Sequence, residues 1–165
     1  MREVKNFRIT QVLLVTMFIF LFLSLAMLGC KKWFIFTINQ TQSLKGHVYV
    51  IKKGEPVVKG DLVGFLWQGS VKYPKDAIFV KVVSGVENDH INVIGRNVFI
   101  NKNLIGKAKE VSSDGKIKLD VIQPKVIGKN EIFVSTPHKD SLDSRYALVG
   151  TINKEIILGK AYEIF

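Results

Sequence analysis

The chain has 165 residues, enough for one modest domain and a short appendage, and its formal net charge is +10. Its lysines are scattered rather than interleaved with aromatic residues, which argues against a nucleic-acid-binding surface and favours attraction to anionic lipid headgroups. Cys30 is the single cysteine, so an intrachain disulfide is excluded.

An uncharged, apolar segment follows a short basic N-terminal region. Residues 9–30 contain no charged side chain, and the stretch from Val12 to Leu28 is almost wholly apolar. A helix of this length can cross the roughly 30 Å hydrocarbon core of a bilayer. The run exceeds the about 7 to 15 apolar residues of a cleaved secretory signal, and Lys31 and Lys32 follow it directly. We therefore predict a retained transmembrane anchor over residues 9–30.

The charges on either side of this anchor indicate its orientation. Three basic residues and an amino terminus precede the anchor and two lysines follow it, so the positive-inside rule favours a cytoplasmic N-terminus by a small margin. We expect residues 1–8 to form a cytoplasmic tail and residues 31–165 to form an exported domain. Acylation of Cys30 is a weaker alternative, because the residues before it lack the order typical of a lipoprotein processing site.

Beyond the anchor, short apolar runs alternate with Gly, Pro, Asn and Asp, and no stretch sustains a helical period over a dozen residues. This pattern predicts a mostly-β single domain. The predicted strands are 47–51, 61–67, 78–83, 90–94, 97–100, 116–121, 131–135 and 156–163. A hairpin is expected over residues 95–105 with Asn101 to Asn103 at its tip, and residues 107–129 are expected to form an extended surface ribbon.

The strand predicted at residues 78–83 carries one lysine among apolar residues. Because side chains alternate along a strand, Lys81 shares a face with Phe79 and Val83, and both faces of the strand are expected to be buried. Burial disfavours the ammonium form and lowers the pKa of a lysine. Lys81 is therefore a candidate general base; the alternatives are a lysine that snorkels to water or pairs with a carboxylate.

A neutral lysine acts as a base only if a nucleophile lies within hydrogen-bond reach. Ser43, in a polar loop before the first predicted strand, is the best candidate, although most such serines merely cap turns. A later segment, residues 135–146, is rich in hydroxyl and charged groups. Asp143 and Arg145 in that segment are expected to form an ion pair, which contributes little to stability if it is exposed.

Together these three segments resemble the serine-lysine signal peptidases, and more closely their conjugative-transfer branch of TraF-type maturation peptidases. The first block is Asn39-x-Thr41-x-Ser43, followed by Gly46 and Tyr49. The second block begins at Lys81 and continues through Gly85 and Asp89. The third block consists of Ser135-Thr-Pro-His138 and the box Ser141-Leu-Asp143-Ser144-Arg145-Tyr146. The departures from the family pattern are Lys45, Val82, Glu87 and Asn88, which lie beside the proposed chemistry and concern substrate preference.

The resemblance implies a role for each matching residue. Lys81 is expected to remove the proton from Ser43, while the Ser43 backbone N–H and the Thr41 hydroxyl hold the oxyanion. The resemblance assigns supporting roles to the third block, where Ser141 orients the lysine amine and the remaining pair, Asp143 and Arg145, holds the last loop against the site. It implies no metal and no cofactor.

The implied protein is a membrane-anchored serine endopeptidase with a signal-peptidase-like β domain. It is expected in the inner (cytoplasmic) membrane as a single-pass protein, with the catalytic domain on the periplasmic or outer side. Its expected partners are a membrane-inserted exported precursor, by resemblance a conjugative pilin, together with membrane lipids and the conjugative transfer machinery. The alternatives are a general type I signal peptidase and a non-enzymatic scaffold of a membrane secretion or pilus assembly.

Two other site types are weaker hypotheses. A Ser-His-Asp triad would require His47, which is predicted to lie on a strand and to point away from Ser43. Metal binding by His47, His90 and His138 lacks a recognised ligand spacing.

Overall fold

The computed structural model of the protein describes residues 2–39, 43–69 and 73–165, with side chains described from residue 11 onward except Ala26. The chain divides into two units, Met1–Phe34 and Ile35–Phe165. The first unit is helical and the second is built from strands. The protein is thus mostly β with one N-terminal apolar helix, as the sequence predicted.

The helix α1 spans Arg2–Trp33, so it begins seven residues before the predicted anchor 9–30 and ends three residues after it. Its segment Gln11–Trp33 has a mean hydropathy of 2.7 and is long and apolar enough to cross a membrane. Within this segment, the hydroxyls of Thr16 and Ser24 donate to backbone carbonyls of the preceding turn. Internal pairing of this kind lets polar groups enter hydrocarbon without an unsatisfied donor.

Eleven strands follow in the described residues. They are β1 Phe34–Ile38, β2 Val48–Lys53, β3 Leu62–Leu66, β4 Ile78–Gly85, β5 His90–Ile94, β6 Asn97–Ile100, β7 Asn103–Lys107, β8 Lys125–Val126, β9 Glu131–Ser135, β10 Ile152–Asn153 and β11 Ile157–Glu163, with a 3₁₀ turn at Lys154–Ile156. Seven strands form one sheet in the order β1-β2-β11-β3-β4-β9-β10, and four form a second sheet in the order β7-β6-β5-β8. The predicted hairpin is present as β6 and β7, and Asn101 turns between them with a φ of 56°.

Strand β9 joins the cores of the two sheets. Ile132 and Val134 belong to a core cluster with Val63, Phe65 and other residues of the larger sheet. Phe133, on the opposite face of β9, packs into the core of the smaller sheet. Because successive strand residues point to opposite faces, a strand buried on both sides can serve two cores. This arrangement holds β9, and the loop that follows it, beside β4.

The prediction for residues 107–129 was wrong in two respects. Residues 116–121 form no regular strand; only isolated bridges pair Val111 with Lys118 and Val121 with Tyr146. The segment also contributes to the interior, since Leu119 and several other side chains are buried. The backbone carbonyls of this segment are satisfied in part by the guanidinium of Arg96, which donates to the carbonyls of Ala108, Lys109 and Leu119. The Arg96 side chain thus supplies hydrogen bonds that a paired neighbouring strand would otherwise supply.

Candidate active site

Strand β4 places Lys81 in the protein interior. Lys81 pairs with Val63 of β3, and its side chain is 5% exposed. Val83, two residues along on the same face, is also buried, whereas Val80 and Val82 on the other face are only half-buried. Phe79, on the lysine face, is also half-buried, so the expectation that both faces are buried holds only for Lys81 and the residues that follow it on its face.

The Lys81 amine contacts two hydroxyls from distant parts of the chain. Its Nζ donates to the Ser43 Oγ at 3.0 Å and to the Ser141 Oγ at 2.9 Å. Ser43 lies between β1 and β2 and is 8% exposed, and Ser141 lies in the loop after β9 and is 3% exposed. A neutral amine retains one lone pair, so the Ser43 contact can reverse direction and the serine can donate its proton to the lysine.

Burial lowers the pKa of Lys81 from 10.5 to about 8. Desolvation is the largest cause; the nearby Asp143 carboxylate raises this pKa and the Arg145 guanidinium lowers it. The two charges oppose each other, so desolvation determines the direction. A substantial fraction of the amine is therefore neutral in mildly alkaline solution, which is the form that a general base requires.

Asp143 and Arg145 form a buried bidentate pair. The Arg145 Nε donates to Asp143 Oδ1 at 2.8 Å, and its terminal nitrogen donates to Oδ2 at 2.9 Å. The Asp143 carboxylate also accepts the backbone N–H of Thr136. Because both side chains are excluded from water, the pair differs from the exposed, weak pair that the sequence left open.

The same guanidinium organises the loop that carries Ser141. It donates to the carbonyls of His138 at 3.0 Å and Ser141 at 3.4 Å. These bonds connect Arg145, near the end of the loop, to His138 and Ser141, which precede it. The position of the Ser141 hydroxyl relative to Lys81 thus depends on Arg145.

A cleft of about 810 Å³ opens over the amine and the two hydroxyls. One wall comes from the end of β1 and another from the beginning of β4, and apolar side chains predominate at the latter. The lining residues among those described include Thr37, Ile38, Asn39, Ser43, Tyr49, Tyr73, Ala77, Ile78, Phe79, Val80, Lys81, His138, Ser141 and Leu142. A groove between two strands suits an extended peptide, which can bond to strand backbone.

The sequence analysis placed Phe79 on the same face as Lys81 but assigned it no role at the site. The Phe79 ring centroid lies 5.7 Å from the Lys81 Nζ. The same ring stacks on Trp67, with 5.0 Å between the ring centroids and 3° between the ring planes. Phe79 occupies the same face of β4 two residues before Lys81, and this spacing was the available signal. The rings exclude water from one side of the amine and so contribute to its desolvation.

The structure brings together Ser43, Lys81 and Ser141, with Asp143 and Arg145 behind them. The sixth predicted site residue, Thr41, lies outside the described residues. The three histidines are dispersed: His47 packs beside Phe165 at 6.3 Å between ring centroids, and His90 is exposed. In the described parts of the chain, no group of three or more His, Cys, Asp or Glu residues is arranged to hold a metal.

The chain is also similar to a known protein family. A model of the family described as signal peptidase, peptidase S26, matches residues 8–165. No curated protein matches the chain. Because the family match covers nearly the whole chain, the chain belongs to the signal peptidase family, peptidase S26.

Proposed function

We propose that the protein is a membrane-anchored serine endopeptidase in which Ser43 is the nucleophile and Lys81 is the general base. The observation that carries this proposal is the buried Lys81 amine, bonded to Ser43 and Ser141 at the floor of a cleft. A buried lysine with no carboxylate in direct contact costs stability, and a catalytic role accounts for that cost. Family membership supports peptidase activity on precursor proteins.

The reaction begins with neutral Lys81. Its lone pair accepts the Ser43 proton while the serine oxygen attacks the scissile carbonyl carbon. The Ser43 backbone N–H and the Thr41 hydroxyl hold the oxyanion, and one such donor contributes roughly 2.7 to 4 kcal/mol. The Lys81 ammonium then protonates the leaving amine as the peptide bond breaks. Water, deprotonated by the neutral amine, later releases the acyl group from Ser43.

Three residues of the third block support this chemistry without touching the substrate. Ser141 holds the amine in line with Ser43, and the buried pair of Asp143 and Arg145 holds the Ser141 loop. The opposed charges of the pair leave the lysine pKa low.

The proposed substrate is a membrane-inserted exported precursor, and the third sequence block favours a conjugative pilin. Residues 1–8 then form a cytoplasmic tail, residues 9–30 the anchor and residues 31–165 the exported peptidase domain in the inner membrane. Membrane lipids and the conjugative transfer machinery are the accompanying partners. Loss of the enzyme from a plasmid-bearing host should leave the pilin precursor uncleaved while other secreted precursors mature. Accumulation of many precursors would instead indicate a general signal peptidase.

Covalent labelling tests the proposed dyad. Full-length protein in detergent is mixed at about pH 8 with the p-nitrophenyl ester of N-acetyl-alanine, and nitrophenolate release is followed with mass spectrometry of the adduct. We expect one acetyl-alanyl group on Ser43 in the wild type and none in Ser43→Ala or Lys81→Ala. Ser84→Ala and Lys160→Ala are matched controls, because Ser84 bonds Ser135 and Lys160 bonds Asp61. A Ser43 adduct that persists in Lys81→Ala would remove the lysine from the mechanism.

A further inference from the structure

The loop that carries Ser43 is held by two side chains to which the proposed chemistry assigns no role. In the described part of this loop, residues 43–47, there is no strand or helix. Its shape therefore depends on individual hydrogen bonds rather than on a ladder. The side-chain bonds come from Asn39, which follows β1, and from Tyr49 on β2, and the His47 backbone N–H donates to the Phe165 carbonyl.

Asn39 ties the loop from the side of β1. Its side-chain Nδ2 donates to the carbonyl of Leu44 at 3.1 Å and to the carbonyl of Gly46 at 3.0 Å, and its backbone N–H donates to the carbonyl of His47 at 2.8 Å. The two amide hydrogens are fixed in one plane, so they set the spacing between the two carbonyls. The Leu44 carbonyl belongs to the residue directly after the nucleophile.

Tyr49 ties the same loop from the side of β2. Its buried hydroxyl accepts the backbone N–H of Gly46 at 3.0 Å. A Cβ on Gly46 would lie 2.6 Å from that oxygen and 2.5 Å from Cγ of Glu163, so only glycine allows this approach. Gly46 is thus held at its N–H by Tyr49 and at its carbonyl by Asn39.

We propose that Asn39 and Tyr49 are positioning residues that keep the Ser43 oxygen within proton-transfer distance of Lys81. The inference rests on the proposed function, because it assigns to these residues the geometry of that dyad. A displacement of about 1 Å is enough to lower a rate by about a hundredfold when reacting groups must be aligned. In the described contacts both residues bond the backbone of the loop, so their contribution is to the rate of acylation and not to the pKa of the base.

The test measures the acylation burst of full-length protein in detergent with the p-nitrophenyl ester of N-acetyl-alanine. The Ser43 oxygen attacks the ester carbonyl, its proton passes to Lys81, and the bond to nitrophenolate breaks. Asn39→Asp keeps the side-chain shape, removes both donors and adds a carboxylate beside the cleft, and Tyr49→Phe removes the hydroxyl without adding a charge. Asn92→Asp and Tyr162→Phe are matched controls, because the Asn92 amide bonds the Asn101 carbonyl in the smaller sheet and the Tyr162 hydroxyl bonds Glu55.

At the high-pH plateau, where Lys81 is neutral, we expect the burst rate to fall about a hundredfold in Asn39→Asp and about tenfold in Tyr49→Phe. The midpoint of the pH profile should stay at the wild-type value in Tyr49→Phe, which adds no charge. The control variants should keep the wild-type rate. A role in stability alone would lower the melting temperature but leave the burst rate of the folded protein unchanged, and that result would overturn the inference. If Asn39→Asp does not fold, the burst rate of Tyr49→Phe alone tests the inference. Absence of a Ser43-dependent burst in the wild type would instead overturn the proposed function, and the inference with it.

Discussion

At the scale of single residues, the environment of Lys81 is the feature with the clearest chemical consequence. A strand lysine among Ile, Phe and Val was recognisable from the sequence, because alternation leaves it no polar face. The balance of its neighbours was not recognisable: Asp143 and Arg145, more than 60 positions later, act on the same amine with opposite signs. Because these two charges oppose each other, desolvation determines the direction in which the pKa of Lys81 shifts.

The rate of Ser43 acylation is expected to rise with pH and to reach half its maximum near pH 8. The reason is that the pKa of Lys81 is lowered to about 8, so the amine is mostly protonated below that pH and mostly neutral above it. The burst rate of the full-length protein from about pH 6 to 10 measures this. A profile that is flat across this range would show that the titrating base is a different group.

At the scale of elements, the loop after β9 is the part whose structure matters most for the site. Its hydroxyl and charged residues read as an ordinary polar surface loop when taken alone. In the fold, Arg145 instead crosses the loop to bond Asp143, His138 and Ser141. Polar composition did not reveal this burial, because composition does not distinguish a charge that faces water from one paired with a partner in the interior.

Arg145→Met should both destabilise the protein and make the base more basic. Asp143 would remain as a buried, unpaired carboxylate, which typically costs about 3 to 5 kcal/mol. Since Arg145 lowers and Asp143 raises the pKa of Lys81, loss of the guanidinium should move the midpoint of the acylation profile to higher pH.

Urea unfolding and the pH profile of the burst measure the two effects. Lys52→Met is a suitable control, because the Lys52 side chain is 54% exposed and loss of its pair with Glu55 should cost less than about 1 kcal/mol. Wild-type stability in Arg145→Met would show that the buried pair does not hold the loop. An unchanged midpoint would show that the guanidinium does not act on the base.

At the scale of the whole molecule, the chain combines an apolar helix with a domain of two sheets. The helix was evident from the sequence, because an uninterrupted apolar run is a strong signal. Strand β1 was not predicted, since Phe34–Ile38 follows Trp33 without punctuation and continues the apolar character of the helix. Strand β8 was not predicted, because its two residues are too few to show an alternating pattern.

The full-length protein should remain in the membrane pellet after alkaline carbonate extraction. The segment Gln11–Trp33 has enough length and hydropathy to stay in the bilayer without help from the peptidase domain. Immunoblotting of pellet and supernatant measures retention, and N-terminal sequencing shows whether residues 1–33 are still attached. Release into the supernatant, or an N-terminus beyond residue 33, would contradict a retained anchor.

The sequence by itself determined the mostly-β class, the apolar helix and the residues of three short blocks, because alternation, uninterrupted hydrophobicity and local motifs are properties of neighbouring positions. Only the tertiary structure decided that Ser43, Lys81 and Ser141 meet, since they come from a loop, a strand and a second loop separated by 38 and 60 residues. Likewise, Leu119 enters the interior without a regular strand, because the carbonyls of its segment find a donor in Arg96. Contacts between distant segments arise from packing and desolvation in three dimensions, which no local pattern encodes.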